Sequence, residues 1–303
     1  FTDTWQDVKR QNKVALSDYA KRQWHMELPP EMMYTIQATA IHPLKRHLLN
    51  ILNIIARHQR LQERPGGMPR AAIFCGKAAP GDHLGKLLVR LIHDVAAVLN
   101  NDARTSQYLR VLFMPNYRVS LAERVFPATD LSEHLAYAGL EPCGTGMMKS
   151  ALNGALIIGS QGGANLEIRD AIGADNIFLF GLTEEQSCAR KAQGYDPRQV
   201  IQRALILRRA LEALDNGIFT AGDTERYRPL IDHLTDAGDP FMVAADFASY
   251  ADTHERADKA FLDHDAWVRT AIRNIARMGR FSSDRTIREY AEQVWHIRPI
   301  GGG

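Results

Sequence analysis

The sequence predicts an α/β fold in which a parallel sheet is flanked by helices, with a helical C-terminal extension packed on the same domain. Two observations predict it. Before residue 184, short apolar runs alternate with longer amphipathic segments, an order typical of βαβ units. From residue 184 onward nearly every segment has helical spacing, as in "RQVIQRALILRRALEALDNG". We therefore expect a sheet-containing, cofactor-binding part at 1–183, a helical part at 184–300 and a flexible glycine tail at 301–303.

Each element has its own local signal. The opening segment "FTDTWQDVKRQNKVALSDYAKRQW" predicts a helix, which the proline pair at 29–30 stops. Apolar and β-branched runs in "MMYTIQATAIH", "RAAIFCGKAAPG", "LRVLFMPNY" and "NIFLFG" predict strands. "LKRHLLNILNIIARHQRL" and "HLGKLLVRLIHDVAAVLNN" have the apolar spacing of amphipathic helices. "SLAERVFPA" indicates a short helix or loop, and "LSEHLAYAG" is predicted to be helical and to lead into a glycine-rich stretch.

The composition is that of an ordinary globular protein. Apolar residues make up 45% and charged residues 24%, and the net charge is only +2, so nothing indicates nucleic acid or a membrane surface as a partner. No apolar run reaches the length of a membrane helix, and no secretory leader is visible. Cys75, Cys143 and Cys188 have neither metal-like spacing nor an even count. This favours reduced thiols and a cytoplasmic location.

Three strand-to-loop passages are candidates for a ligand site, because ligands of an open parallel sheet bind at the carboxyl ends of its strands. These are residues 76–82, 116–123 and 141–149. Tyr117 is suited to stack on a flat ring, and Arg118 to pair with an anion. The amides around Thr145 are suited to cradle a phosphate where a helix starts. Lys149, beside these glycines, would neutralise a phosphate or hold an aldehyde as a Schiff base.

Each of these signals also has a plain structural interpretation. A glycine loop is more often a tight turn than a cofactor site, and a lysine near a helix start is usually a solvated charge. Cys143 is more often a small packing residue than a nucleophile in such a setting, since no base stands beside it in sequence, but its place inside the loop leaves the second role open. The histidines at 42, 47 and 58 do not share a metal-binding helical face. The residues alone therefore leave a ligand site at the glycine-rich stretch open.

Seven motifs in register carry a more specific indication: "GKAAPG", "NYRVSLAE", "PATDLSE", "GTGMMK", "LNGAL", "GGANLE" and "FSSDRTI". Together they closely resemble the C-terminal domain of the α-glucan phosphorylases, the glycogen, maltodextrin and starch enzymes, from about Trp5 to Ile300. The resemblance implies a Rossmann-like domain of a GT-B fold, with a separate or missing N-terminal domain across a cleft. It implies reversible phosphorolysis of terminal α-1,4-linked glucose to glucose 1-phosphate, with α-glucan and inorganic phosphate as substrates.

The resemblance also implies roles for individual residues. Lys149 matches the lysine that carries pyridoxal 5′-phosphate as an imine, Tyr117 the tyrosine against the cofactor ring, and Arg118 its neighbouring arginine. The residues around the cofactor phosphate match Gly144, Thr145 and Gly146. The glutamate that holds glucosyl hydroxyls matches Glu141. His42 and Lys45 match positions expected at the substrate, and Lys45 is expected, with Lys149, to take part in catalysis.

The sequence departs from the family pattern near this expected site. The family reads Val-Lys-Arg-Ile-His-Glu-Tyr-Lys-Arg where this chain reads "ATAIHPLKR", so Thr39 and Ala40 replace a Lys-Arg pair that grips two phosphates. Further departures are Pro142 and Cys143 for Ala-Ser, Met147 for Asn and Gly162 for Asp. Each lost charge-assisted contact costs on the order of 2–4 kcal/mol of transition-state stabilisation, so two would lower activity by ~10³-fold or more.

Several functions therefore stay open. The first is a phosphorylase C-terminal domain, which on its own is expected to be inactive because the cleft needs a second domain to close over the sugar. The second is a degenerate or engineered cofactor-binding domain that lacks phosphorolysis and acts as a binding or regulatory module. The third is an interaction module for an N-terminal domain. A divergent active branch, with the lost cations supplied elsewhere, is a variant of the first.

Overall fold

The computed structural model describes residues 1–140 and 144–298. Their centre is a six-stranded sheet with the order β3-β2-β1-β4-β5-β6, in which every neighbouring pair is parallel. Strands β2 and β3 are added on one side of β1, and strands β4, β5 and β6 are added on its other side. The strand order therefore reverses between β1 and β4. The strands are β1 (Met33–Ala38), β2 (Arg70–Cys75), β3 (Leu109–Met114), β4 (Leu131–His134), β5 (Leu156–Ser160) and β6 (Phe178–Phe180).

Thirteen α-helices surround this sheet within the described ranges. Six lie before or between the strands: α1 (Thr2–Trp24), α2 (His47–Glu63), α3 (His83–Asn101), α4 (Val119–Ala128), α5 (Thr145–Leu152) and α6 (Ala164–Ile172). Seven follow the last strand: α7 (Glu184–Ala192), α8 (Pro197–Arg203), α9 (Leu205–Asp215), α10 (Arg228–Thr235), α11 (Val243–Leu262), α12 (His264–Arg277) and α13 (Ser283–Tyr290). None of these helices combines the length and apolarity needed to cross a membrane.

The two faces of the sheet are covered by different layers. Alternate strand residues point to opposite faces, and this is visible in β1, where Met33 belongs to one apolar core and Tyr34 to another. The first and larger core joins α2 and α3 to the later helices, with Leu52 of α2 and Leu211 of α9 in the same cluster. The second core lies under α1 and α4. A smaller core around Ile157 lies under α5 and α6.

The predicted fold class, an α/β protein with a parallel sheet, is confirmed, but one element was wrongly predicted. The helix expected in "LSEHLAYAG" is in fact strand β4 followed by a loop. β4 is a central strand with both faces buried, so its polar residues are not on a solvent side: the Ser132 hydroxyl donates to Ser150 Oγ at 2.9 Å. Because tertiary partners satisfy these groups, β4 lacks the alternation that marks a half-exposed strand.

Strand β5 was not predicted either. It lies inside the glycine-rich stretch, where the apolar run "ALIIG" is short and bounded by glycines. Such a run is compatible with a buried strand or a buried helix segment, and its pairing with β4 and β6 shows that it is a strand.

Candidate functional site at the strand-order reversal

A cavity of about 300 Å³ opens at the carboxyl ends of β1 and β4, where the strand order reverses. In open parallel sheets the loops on either side of this reversal diverge and leave a crevice in which ligands bind. Its volume is at the small end of the range for small-molecule sites. The lining residues are Ala38, Thr39, Lys45, Tyr117, Phe126, Glu133, His134, Leu135, Ala136, Gly144, Thr145, Gly146 and Lys149. We call this space the reversal cavity.

The start of α5 forms one wall of the reversal cavity. The helix begins at Thr145, directly after Gly144, so its first free backbone N–H groups and the positive end of its dipole lie at the cavity. A Cβ on Gly146 would lie 3.5 Å from the Ala38 carbonyl oxygen, an ordinary van der Waals contact, so α5 starts directly beside the end of β1. The arrangement offers amide donors to an anionic group.

Lys149 lies on the same helix and lines the same cavity. Its side chain is exposed, while its carbonyl oxygen accepts hydrogen bonds from the Asn153 backbone N–H at 3.1 Å and from Asn153 Nδ2 at 2.8 Å. The helix end is therefore fixed, and the amine is left accessible from the cavity. An accessible primary amine is the group that condenses with an aldehyde.

Tyr117 supplies a flat wall. It follows β3 and is half-buried against the core beneath α1 and α4. Burial, with a further contribution from Cys75, raises the pKa of Tyr117 to about 12. The phenol is therefore protonated at neutral pH, so it serves as an aromatic surface and a hydrogen-bond donor rather than as a base.

Lys45 enters the reversal cavity from the loop after β1. It ends a 3-10 turn, Pro43–Lys45, in which His42 Nδ1 accepts a hydrogen bond from the Leu44 backbone N–H at 3.0 Å. The Lys45 carbonyl oxygen accepts a hydrogen bond from Gln37 Nε2 at 2.9 Å. His42 is thus the cap of the turn that carries Lys45, and its own exposed ring is not part of the cavity lining.

The structure does not bring every predicted residue to the cavity. Arg118 is exposed, precedes α4 as its N-cap residue, and donates from Nε to Ser120 Oγ at 2.8 Å; it is absent from the lining. Glu141 lies outside the described residues. The residues that meet at the cavity are therefore Lys45, Tyr117, Gly144, Thr145, Gly146 and Lys149.

Position 39, where the family pattern has lysine, is part of the wall of this cavity. Thr39 lines it, whereas Ala40 is exposed and does not. Among the described residues the lining contains two cationic side chains, Lys45 and Lys149, and one carboxylate, Glu133. The cavity thus has less positive charge than the family pattern would give it.

Glu133 and His134 were not predicted as site residues, because both lie on β4, which the local pattern predicted to be helical. Burial lowers the pKa of His134 to about 3, with opposing effects from Glu133 and Lys45. Its Nε2 lies 2.7 Å from the Ser132 hydroxyl, and it is neutral at physiological pH. The local signal that identifies both residues is their place at the end of a strand next to the reversal point.

Arg46, the residue after Lys45, is fully buried and forms an ion pair with a residue of the helical extension. Its Nη1 lies 2.6 Å from Asp246 Oδ2 of α11, its Nε donates to the Leu135 carbonyl oxygen, and its guanidinium lies 5.3 Å from the Phe180 ring centre. Asp246 Oδ1 in turn accepts from the Leu182 backbone N–H at 3.0 Å. This arginine joins the loop below the cavity to the helical extension.

Gly162, one of the departures from the family pattern, has a packing reason. It lines a second, small cavity of about 20 Å³ next to the first. A Cβ at this position would lie 2.9 Å from both Cα and Cβ of Ala138. An aspartate here would force the backbone of the β4–α5 loop to move, so glycine fits the local structure as it stands.

The fold and the site define a class: a Rossmann-like α/β domain with a small-molecule cavity at the point where the strand order reverses. The carbohydrate phosphorylase family model matches residues 1–297. The chain belongs to this family, which confirms the resemblance found in the seven motifs.

Individual relatives agree with this assignment. The chain is 43% identical to the glycogen phosphorylase of Synechocystis over 302 residues, 99% of this chain and 36% of that protein. It is 43% identical to the glycogen phosphorylase of Chlamydia pneumoniae over 98% of this chain and 36% of the relative. It is 39% identical to the liver form of human glycogen phosphorylase over 96% and 35%. The chain spans about a third of the length of the curated relatives it matches.

Proposed function

We propose that this domain is the cofactor-binding part of a pyridoxal 5′-phosphate-dependent α-glucan phosphorylase, which forms glucose 1-phosphate from inorganic phosphate and terminal α-1,4-linked glucose. The observation that carries the proposal is the reversal cavity, which gathers an accessible lysine amine, a phenol ring and helix N-terminal amides in a member of the carbohydrate phosphorylase family. The glucan-binding domain of the GT-B fold would come from the part of the relatives that this chain does not match.

The residues present suit this cofactor by type and placement. Lys149 has the amine that an aldehyde requires, Tyr117 has a flat apolar face for a pyridine ring, and the amides at the start of α5 are donors for a phosphate dianion. When bound, the cofactor would supply a phosphate group that passes a proton to and from the substrate phosphate. None of the described side chains that line the cavity carries that chemistry.

The chain's own residues would contribute by binding the two phosphates and by offsetting their negative charge. Two phosphates brought to about 4 Å repel each other by about 4 kcal/mol per pair of unit charges at an effective dielectric constant of 20. Lys45 and the positive end of α5 would offset part of this repulsion, and Lys45 would hold the substrate phosphate. Tyr117 and Phe126 would exclude water from the ring side of the site. Gly144, Thr145 and Gly146 would orient the cofactor phosphate toward the sugar.

A second candidate is favoured by one observation, the neutral Thr39 on the cavity wall. In this alternative the domain binds the cofactor but does not phosphorolyse glucan, and it acts as a binding or regulatory module. The two candidates share the cofactor and differ in the charge available to the second phosphate, so they separate in an activity assay and not in a binding assay.

The test has two parts. The purified chain is mixed with pyridoxal 5′-phosphate, and the absorbance band of the lysine adduct is compared between the wild type and Lys149→Ala. The wild type should form the band and the variant should not; equal bands in both would overturn the proposal. Glucose 1-phosphate formation is then measured in a chimera in which the part of the Synechocystis relative that this chain does not match is fused before it. Formation of glucose 1-phosphate supports the phosphorylase candidate. A chimera that binds the cofactor but forms no glucose 1-phosphate supports the second candidate.

Two further parts of the proposal concern organisation and location. We treat residues 1–183 and 184–300 as one folding unit, supported by the apolar core that α2 shares with α9 and α11; the tail at 301–303 lies outside the described residues. We also propose a cytoplasmic location, supported by the free thiols of Cys75 and Cys188.

A further inference from the structure

Glu133 is a buried carboxylate whose purpose the proposed function leaves unexplained. It lies on β4, is 2% exposed, and belongs to the lining of the reversal cavity. Its Oε1 is buried and makes no hydrogen bond with any described residue. Burying a carboxylate oxygen without a hydrogen-bond donor costs free energy. A purely structural role for Glu133 would therefore not explain why Oε1 is left without a donor.

The other oxygen of Glu133 is held by α11. Tyr250 donates its hydroxyl hydrogen to Oε2, and His254 Nε2 lies 3.4 Å from the same oxygen. Arg70 donates from Nη1 to His254 Nδ1, so the ring proton of the neutral imidazole is on Nε2, facing Glu133. Arg70 is fixed in turn by an ion pair with Asp258.

These contacts keep Glu133 charged and immobile. Burial alone would raise the pKa of Glu133, but His254, Tyr250 and Arg70 together lower it below its ordinary range. Burial and Arg70 lower the pKa of His254, so that ring stays neutral. The Tyr250 hydroxyl therefore fixes one oxygen of an ionised carboxylate, with the His254 ring beside it on the same helix, and this determines where the other oxygen is placed.

We propose that Glu133 is a positioning residue of the cofactor site, whose Oε1 accepts a hydrogen bond from a phenolic or pyridinium proton of the pyridoxal ring bound in the reversal cavity. The inference rests on the proposed function, and it makes α11 of the helical extension part of the site. Through Tyr250 and His254, a helix far away in sequence would determine the angle at which the ring lies against Tyr117.

The variant Glu133→Gln tests the hydrogen bond with little change in shape. The Tyr250 hydroxyl donor would keep the amide oxygen on its side, so the amide NH₂ would take the place of Oε1 and face the ligand donor with another donor. Tyr250→Phe releases the carboxylate from its anchor without altering Glu133. Tyr227→Phe is the matched control, because Tyr227 is equally buried and donates to Asp94 at 2.7 Å but does not line the cavity.

The measurement is the dissociation constant of 4-deoxypyridoxine 5′-phosphate by titration calorimetry, together with the absorbance spectrum of bound pyridoxal 5′-phosphate. The first probe has the ring and the phosphate but no aldehyde, so it reports on the ring contact independently of Lys149. We expect Glu133→Gln to raise the dissociation constant at least about 10-fold and Tyr250→Phe to raise it about 3-fold. Both should also shift the spectrum, and Tyr227→Phe should change neither quantity.

Each outcome decides the inference. Wild-type dissociation constants and spectra in both Glu133→Gln and Tyr250→Phe would overturn it and leave the proposed function intact. If the wild type binds the deoxy probe in a Glu133-dependent way but forms no adduct with the aldehyde, the inference stands and the covalent part of the proposed function fails. If the folded wild type binds neither compound, both proposals fall. Should Glu133→Gln not fold, the Tyr250→Phe result is compared with the Tyr227→Phe result.

Discussion

At the scale of single residues, a motif identifies a side chain but not its direction. The motif around Lys149 and the tyrosine after β3 predicted two residues that do line one cavity. Arg118 was predicted by the same reasoning, yet its side chain bonds to Ser120 at the start of α4. His42 is a turn cap. Such local hydrogen bonds depend on backbone geometry, which a linear pattern does not contain.

The replacement of Lys-Arg by Thr39 and Ala40 leads to a prediction for activity. In the chimera, the double change Thr39→Lys and Ala40→Arg should raise glucose 1-phosphate formation by about 30- to 1000-fold, because a lysine at position 39, which lines the cavity, would add on the order of 2–4 kcal/mol of transition-state stabilisation, whereas position 40 is exposed and outside the lining. The double change Thr39→Gln and Ala40→Gln controls for side-chain size. Equal rates in the parent, the cationic variant and the glutamine variant would show that charge at these positions is not what limits the reaction.

Tyr117 gives a second prediction at this scale. Tyr117→Phe should keep most of the affinity for pyridoxal 5′-phosphate, because the flat face remains. Tyr117→Ala should weaken binding about 10-fold through loss of ring contact, an aromatic contribution of about 1 kcal/mol beyond the lost buried area. Equilibrium titration of absorbance measures both. The account is contradicted if Phe and Ala weaken binding equally, since the hydroxyl would then be the main contact.

At the scale of elements, strands β1, β2, β3 and β6 and the long helices were predicted, whereas β4 and β5 were not. The apolar spacing of the sequence predicted helix α3 over the range that the structure shows, His83–Asn101, because one face of this helix is buried and the other is exposed. β4 is buried on both faces, and its polar side chains bond to α5 and to α11. Since these partners are distant in sequence, neither the strand nor the role of Glu133 could be predicted locally.

The link between the loop below the cavity and α11 gives a prediction of stability. Arg46→Met should lower the free energy of unfolding by about 3–5 kcal/mol, because Asp246 would be left buried without its cation. Adding Asp246→Leu should recover part of that loss. Arg60→Met is the control, since the Arg60–Glu255 pair has side chains 54% and 50% exposed and should contribute no more than about 1 kcal/mol. Urea unfolding measures all four proteins, and similar losses in Arg46→Met and Arg60→Met would argue against a structural role for the buried pair.

At the scale of the whole molecule, the sheet-containing and helical parts share one core, and the same packing buries several histidines. Burial lowers the pKa of His47 to about 3, and that of His134 likewise. The ordinary pKa of histidine is near 6.5, so the unfolded chain binds more protons than the folded one between these values. The composition showed that a large core would exist, but not that imidazoles would lie inside it.

This burial predicts how stability depends on pH. Between pH 6.5 and about 4, each such histidine should lower the free energy of unfolding by about 1.4 kcal/mol per pH unit of acidification. Asp258 acts in a lower window: burial opposes, but Arg70 and Arg57 bring its pKa down to about 2, so its contribution is lost only as the pH falls below about 4. Urea unfolding at pH 7, 6 and 5 should show a shallower slope for His47→Leu than for the wild type. His83→Leu, at an exposed position, should keep the wild-type slope, and identical slopes in all three would contradict this explanation.

The most direct test of the central claim is the position of the cofactor. The chain is incubated with pyridoxal 5′-phosphate, reduced with borohydride, digested and analysed by mass spectrometry. The account predicts a single phosphopyridoxyl group on the peptide that contains Lys149, and no group on that peptide in Lys149→Arg. A peptide that stays unmodified, with label spread over surface lysines such as Lys77 and Lys86 instead, would contradict it.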